Sequence, residues 1–142
     1  MKNFTLQEFT CKCGRCSIPA EAKNKLMALV DQVLDPARKK LGRPIHVNSG
    51  YRCEAHNSKV GGATNSQHMR GEAADLTCDD NLELARIIVA NGNFDQLILY
   101  PKPWSQSPKF IHVSFKTTAP NRHQILKKVE GHPNYTPLSI IA

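Results

Sequence analysis

The run Ser66-Gln67-His68-Met69-Arg70-Gly71-Glu72-Ala73-Ala74-Asp75 places an imidazole and a carboxylate seven positions apart, with small residues around the acid. A second imidazole follows in Phe110-Ile111-His112-Val113-Ser114-Phe115. Two histidines and one carboxylate form a ligand set for a catalytic zinc ion, which takes three protein groups and leaves a fourth position for water. Alternation along a strand puts Phe110, His112 and Ser114 on one face and Ile111, Val113 and Phe115 on the other. The apolar trio belongs to the core, so His112 is directed into a cleft. His68 falls in a segment rich in Gly, Ser and Asn, the kind that presents functional groups from a rigid scaffold. Asp75 sits among Ala73, Ala74 and Leu76, where an unpaired charge is costly to bury and a metal would offset that cost. Singly, each of the three has an ordinary explanation: a surface loop histidine, a strand-end acid, a satisfied strand histidine. Their joint spacing favours the metal.

The elements that must hold these residues are legible in outline. Leu26, Leu29, Val30, Val33, Leu34, Ala37 and Leu41 recur at helical spacing, predicting a helix from Pro19 to Leu41 that Pro36 should kink or split. Ile45-His46-Val47 reads as a short strand entering the turn Asn48-Ser49-Gly50, followed by a brief helix over Glu54 to Lys59. Ala73 to Thr77 reads as a buried strand. Asp80 with Glu83 is a capping signature for a helix over Leu82 to Asn91 that ends at Gly92. Phe94 to Tyr100 and Lys109 to Phe115 are strand candidates, Asn121 to Val129 a further helix, and Gly131 to Ala142 a coil-like tail. The fold class expected is α+β, helices packed on one face of a small, largely antiparallel sheet, in a single domain over residues 1–142.

Bulk properties narrow the partners. The net charge is +7, which favours an anionic partner such as nucleic acid, anionic lipid or cell-wall polymer. The positive residues are scattered, with no interleaved aromatics to form a stacking platform, which argues against nucleic acid. No apolar run approaches the roughly 20 residues of a membrane span, and no apolar stretch follows Lys2, so neither a membrane nor a secretory leader is expected. The expectation is a monomer that is cytoplasmic on synthesis. Cys11, Cys13 and Cys16 form a Cys-x-Cys-x-x-Cys group, with Cys53 and Cys78 further on. The group would ligate a structural zinc if a fourth ligand joined it; reduced thiols, or one or two disulfides, are the alternatives.

The segment Ser66 to Asp75 matches S-x-H-x-x-G-x-A-x-D, and Phe110 to Phe115 is similar to a later W-x-H-x-S element. Together they resemble the zinc D-alanyl-D-alanine carboxypeptidases and their L-alanyl-D-glutamate endopeptidase relatives. That group includes vancomycin-resistance dipeptidases and phage endolysins, and the hedgehog signalling domain shares its fold. Ser49-Gly50-Tyr51-Arg52, Asn57, Gly61-Gly62, Asp95-Gln96-Leu97-Ile98 and the opening Phe-Thr-Leu-Gln-Glu-Phe extend the likeness over about residues 4 to 116.

The resemblance implies Zn2+-dependent hydrolysis of peptide bonds in peptidoglycan, with His68, Asp75 and His112 as metal ligands. It assigns Arg52 to substrate, as a catalytic and binding residue whose planar fork grips a carboxylate or carbonyl oxygen. Outside that context Arg52 would be an ordinary surface ion pair. Ser66 either hydrogen-bonds substrate or structures its loop. A carboxypeptidase, an endopeptidase and a phage or prophage endolysin, acting on the wall after release or as a virion component, all fit this reading. One position departs from the family pattern: Tyr100 stands where a general-base Glu is expected, and a phenol is a poor base near neutral pH. Tyr100 would position substrate or water. Asp95 has suitable chemistry but alternates to the opposite face, and the orientation of Glu72 is not readable, so the base is unassigned. That gap supports the alternative of a non-catalytic, zinc-containing wall-binding module of the same fold.

Overall fold

The computed structural model describes residues 1–105 and 107–139. The amphipathic stretch after Pro19 forms helix α1 (Ala20–Leu29), one π-helical turn at Val30–Leu34, and helix α2 (Asp35–Leu41), with no break between them. Pro36 explains the π turn. It has no N–H for the carbonyl four residues back, that of Gln32, and its ring would crowd that oxygen. The widened turn relieves the crowding, and the freed Gln32 carbonyl accepts from the Asn91 side-chain amide at 3.2 Å. Leu26, Leu29, Val30, Val33, Leu34 and Ala37 are all buried, as their spacing predicts.

Among the described residues, six strands follow the first helical region: β1 (His46–Ser49), β2 (Ala73–Thr77), β3 (Gln96–Pro101), β4 (Pro108–Ser114), β5 (Gln124–Lys127) and β6 (Thr136–Pro137). They lie in the order β1-β2-β4-β3-β5-β6, antiparallel at every pairing except β3 with β5. Alternation sorts their side chains. Leu76, Leu97, Leu99, Ile111 and Val113 join the core with Leu26, Leu29, Leu34, Leu84 and Ile88 of the helical layer. Asp75, Ile98, Tyr100 and His112 line a cleft on the other side of the sheet. The expected α+β class and mostly antiparallel sheet are what the chain adopts.

Helix α3 (Glu54–Lys59) and helix α4 (Asn81–Asn91) lie where their sequence signals put them. The Asp80 carboxylate accepts the Glu83 N–H at 3.1 Å, while the Glu83 side chain turns to Arg43 instead of returning to the cap. Two expectations fail at the C-terminal end. Residues Asn121 to Val129 contain a strand, not a helix: Gln124 to Lys127 pair in parallel with Gln96 to Leu99. The outer edge of β3 carries unpaired backbone groups, and satisfying them outweighs the weak local helical pattern. The tail is not all coil either, since Thr136 and Pro137 pair with Lys127 and Leu126. Residues 140–142 of that tail, and Gln106 in the β3–β4 loop, lie outside the described residues.

Candidate metal centre

Strand register brings the first two members of the trio together. Asp75 of β2 lies opposite His112 of β4, with Ile98 of β3 on the other side of His112. Cross-strand neighbours on one face are within side-chain reach, and His112 Nδ1 is 3.0 Å from Asp75 Oδ1. His68 arrives from a 3-10 turn, Gln67–Arg70, capped by Ser66, whose hydroxyl accepts the His68 N–H at 3.2 Å. Gly71 ends that turn at φ 76, and a side chain there would collide with the Ala22 backbone of α1. Glycine is therefore required between His68 and Asp75 both for the left-handed turn and for close packing. The result puts His68 Nε2 at 3.3 Å from Asp75 Oδ1, with all three residues buried.

The donor set fits a cation on a specific observation. His68 Nδ1 lies 2.8 Å from the Gly50 carbonyl, which can only accept, so that nitrogen carries the ring proton. The lone pair on Nε2 then faces a carboxylate oxygen, an unfavourable contact unless a second proton or a metal ion lies between them. A metal-ligating histidine commonly donates its other N–H to a backbone carbonyl in this way. Burial alone would raise the Asp75 carboxyl, but the two imidazoles against it, His112 foremost, override it and hold the group well below the ordinary carboxylate range. Burial pushes the His112 imidazole below its ordinary value. An anionic Asp75 beside a neutral His112 is the protonation state that binds zinc.

Arg52 stands behind Asp75. Its Nη2 donates to Asp75 Oδ2 at 3.1 Å, its Nε to Ser49 Oγ at 3.0 Å and its Nη1 to Asn57 Oδ1 at 3.3 Å. The arginine singled out for substrate thus also orients the carboxylate through the oxygen that the histidines leave free. Two of its five N–H donors have no partner in these contacts.

The cleft has a volume of about 610 Å³ and includes Arg52, Ser66, Tyr100 and the trio among its lining residues. Tyr100 does face the centre, stacked on Phe110 with ring centroids 4.4 Å apart. Burial, reinforced by the neighbouring Tyr135 hydroxyl, pushes its phenol far above the ordinary range, so Tyr100 retains its proton and donates. Neither acidic candidate supplies a base. Asp95 is fully buried and gripped by Arg122 at 2.7 Å and by Gln67 at 3.0 Å, and Glu72 turns to Arg70 at 2.7 Å. Among the described residues lining the cleft, Asp75 is the sole carboxylate, against Arg52, Arg70, Lys116, Arg122 and Lys128. Sequence reading missed Lys116, Arg122, Lys128 and Tyr135. A strand assignment through Leu126 would have placed Lys128 on a face by alternation.

A His–Asp–His donor set on the open face of an α+β sheet, framed by cations, is a candidate metal centre. The sequence matches the Peptidase M15 family over residues 2–114, and the chain belongs to that family. Over 81 residues it is 41% identical to the zinc D-Ala-D-Ala carboxypeptidase of Streptomyces albus G, a stretch covering 52% of this chain and 31% of that protein. The chain therefore spans about a third of that relative's length.

Proposed function

We propose that this chain is a zinc-dependent peptidase that hydrolyses peptide bonds in bacterial cell-wall peptides, with His68, Asp75 and His112 as the zinc ligands. The observation that carries the reading is the buried trio whose His68 lone pair meets a carboxylate and calls for a cation. Zinc in such a site lowers the pKa of bound water to about 7 and polarises a scissile carbonyl. The chain's own groups then have defined tasks. Gly50 fixes the His68 ring through its carbonyl, and Arg52 fixes Asp75. Tyr100, protonated, donates a hydrogen bond to a substrate carbonyl or to water. Ser66 shapes the turn under His68 through the bond to its backbone N–H.

The substrate reading rests on charge. Lys128 meets no carboxylate among the described residues and lies 5.9 Å from the Tyr135 ring, so it is free to receive an anion. A peptide with a free terminal or side-chain carboxylate near the scissile bond suits that rim, and the Streptomyces relative is named for D-Ala-D-Ala. Both a carboxypeptidase and an endopeptidase of the endolysin type have such substrates, reaching the wall after release or as part of a virion. The test is to incubate zinc-loaded protein with purified peptidoglycan and with a D-Ala-D-Ala-terminated peptide, and to identify fragments by mass spectrometry. Released D-alanine supports the carboxypeptidase, and cleaved cross-links or stem peptides the endopeptidase. No fragment from either substrate overturns the proposal. One observation favours a second reading, a zinc-containing wall-binding module: the cleft offers no carboxylate besides Asp75 to serve as base. Retention on insoluble wall without hydrolysis would identify it.

A further inference from the structure

Outside the cleft, Cys11, Cys13 and Cys16 meet Cys53, and all four sulfur atoms lie within 4.8 Å of one another. The shortest separations are 3.3 Å for Cys13–Cys16, 3.7 Å for Cys11–Cys53 and 3.9 Å for Cys13–Cys53. A tetrahedron of thiolates about 2.3 Å from zinc has edges of about 3.8 Å. A disulfide requires sulfur atoms about 2.05 Å apart. The spacing is therefore that of a metal-thiolate cluster, and the fourth ligand wanted by Cys-x-Cys-x-x-Cys comes from the loop after β1.

The backbone is shaped for the same purpose. Gly14 adopts φ 71, turning the chain between Cys13 and Cys16, and its N–H bonds back to the Cys11 carbonyl at 3.2 Å. Two backbone donors aim at sulfur: Arg15 N–H at Cys13 Sγ (3.3 Å) and Cys53 N–H at Cys11 Sγ (3.4 Å). Such donors stabilise thiolate over thiol, which a metal site requires. Lys12 and Arg15, within the same loop, offset the negative charge of four thiolates.

We infer that Cys11, Cys13, Cys16 and Cys53 bind a second, structural zinc ion, distinct from the one assigned to the cleft. Four thiols lose their protons as the ion binds, and no oxidant or reductant takes part. Its consequence is local. Cys53 follows Gly50, Tyr51 and Arg52, and Tyr51 N–H bonds to the Phe9 carbonyl at 2.9 Å. A side chain on Gly50 would come within 2.8 Å of Phe9, so this loop lies directly on the N-terminal segment. The same loop supplies the Gly50 carbonyl to His68 and the Arg52 guanidinium to Asp75. Clamping residues 11–16 to Cys53 thereby holds both supports of the cleft ligands in place.

The test combines metal counting with a cobalt signature on the full chain, purified under reducing conditions. Native mass spectrometry of the wild type is expected to give two zinc ions per chain. His68→Ala with His112→Ala is expected to keep one, and cobalt exchanged into that variant should show the intense thiolate-to-metal charge-transfer absorption of a sulfur site. Cys13→Ser with Cys16→Ser is expected to keep one zinc and to lose that absorption. If the cysteine variant does not fold, the cobalt spectrum of the histidine variant decides alone. Absence of charge transfer in that variant overturns the inference. So does a wild-type mass lower by four hydrogens, which would mean two disulfides, or five freely titrating thiols, Cys78 included, in metal-saturated protein. None of these outcomes depends on whether the cleft hydrolyses peptides.

Discussion

Replacing Arg52 separates two tasks that the geometry assigns to one side chain. The Arg52 and Asp75 side chains are 14% and 12% exposed, so their contact is largely removed from water. Truncation in Arg52→Ala leaves Asp75 Oδ2 without its donor and deprives Ser49 and Asn57 of theirs. Loss of a group that orients a metal ligand typically costs about 10- to 100-fold in metal affinity, or about 1.4 to 2.7 kcal/mol. The burial of this pair places Arg52→Ala near the upper end, about 100-fold. Arg52→Lys keeps the charge but has one nitrogen for three partners, so about tenfold is expected. Zinc dissociation constants from chelator competition measure this directly. Assays at saturating zinc then isolate the substrate task, where loss of the remaining N–H donors should lower kcat/KM a further hundredfold or so. Unchanged zinc affinity in Arg52→Ala would refute the orienting role and leave Arg52 on the substrate side alone.

Three further outcomes follow from the same geometry. The His68→Ala, His112→Ala double variant should lose the cleft zinc entirely, as metal analysis would show; retention of the full wild-type metal count would sink the ligand assignment. Tyr100→Phe keeps the stack on Phe110 and loses one neutral hydrogen bond, so turnover should fall about tenfold, whereas a loss of several thousandfold would make the phenol a direct catalyst. If the wild type is inert, Tyr100→Glu should introduce hydrolysis of the same peptide, with a rate rising as the new carboxylate ionises. Finally, burial would raise the Asp95 carboxyl, but Arg122 and Gln67 bring it down from 3.8 to about 2. Because the folded-state value is depressed, its contribution is complete above about pH 4 and is lost as pH falls through about 2. The difference corresponds to about 2 kcal/mol, reduced toward about 1 because Arg122 is half-exposed. Acid unfolding followed by circular dichroism should therefore begin at higher pH in Arg122→Met, and an unshifted midpoint would contradict the pairing.

The parts of the site that sequence reading located were those fixed by local rules. Alternation through Ile111 and Val113 determined the face of His112, and the acid expected to be costly in apolar surroundings, Asp75, is buried against both imidazoles. The Pro36 irregularity was also foreseeable, though a π turn absorbed it where a split was equally admissible. What sequence could not supply were contacts made across long stretches of chain. Nothing local indicates that Cys53 meets a cluster around forty residues earlier, or that Arg122 closes on Asp95.

The misread C-terminal region bears most on chemistry. Taken as a helix and a coil, residues 121–139 would lie apart from the centre; as β5 and β6 they extend the sheet past β3 and carry Lys128 and Tyr135 to the rim. That placement changes what Tyr100 can do. Without the tail, its phenol would border open solvent and the position would read simply as a lost Glu. With Tyr135 beside it and Phe110 beneath it, Tyr100 is half-buried and its ionisation is suppressed. A carboxylate introduced there would sit between Asp75 and the cationic rim, drawn toward the anion by Arg52 and away from it by Asp75. Tyr100 therefore offers the cleft a proton donor where the resemblance implied a proton-accepting Glu. If the proposed hydrolysis holds, proton acceptance would fall to a metal-bound hydroxide, to a histidine or to the substrate's own carboxylate, and the pH dependence of turnover separates these.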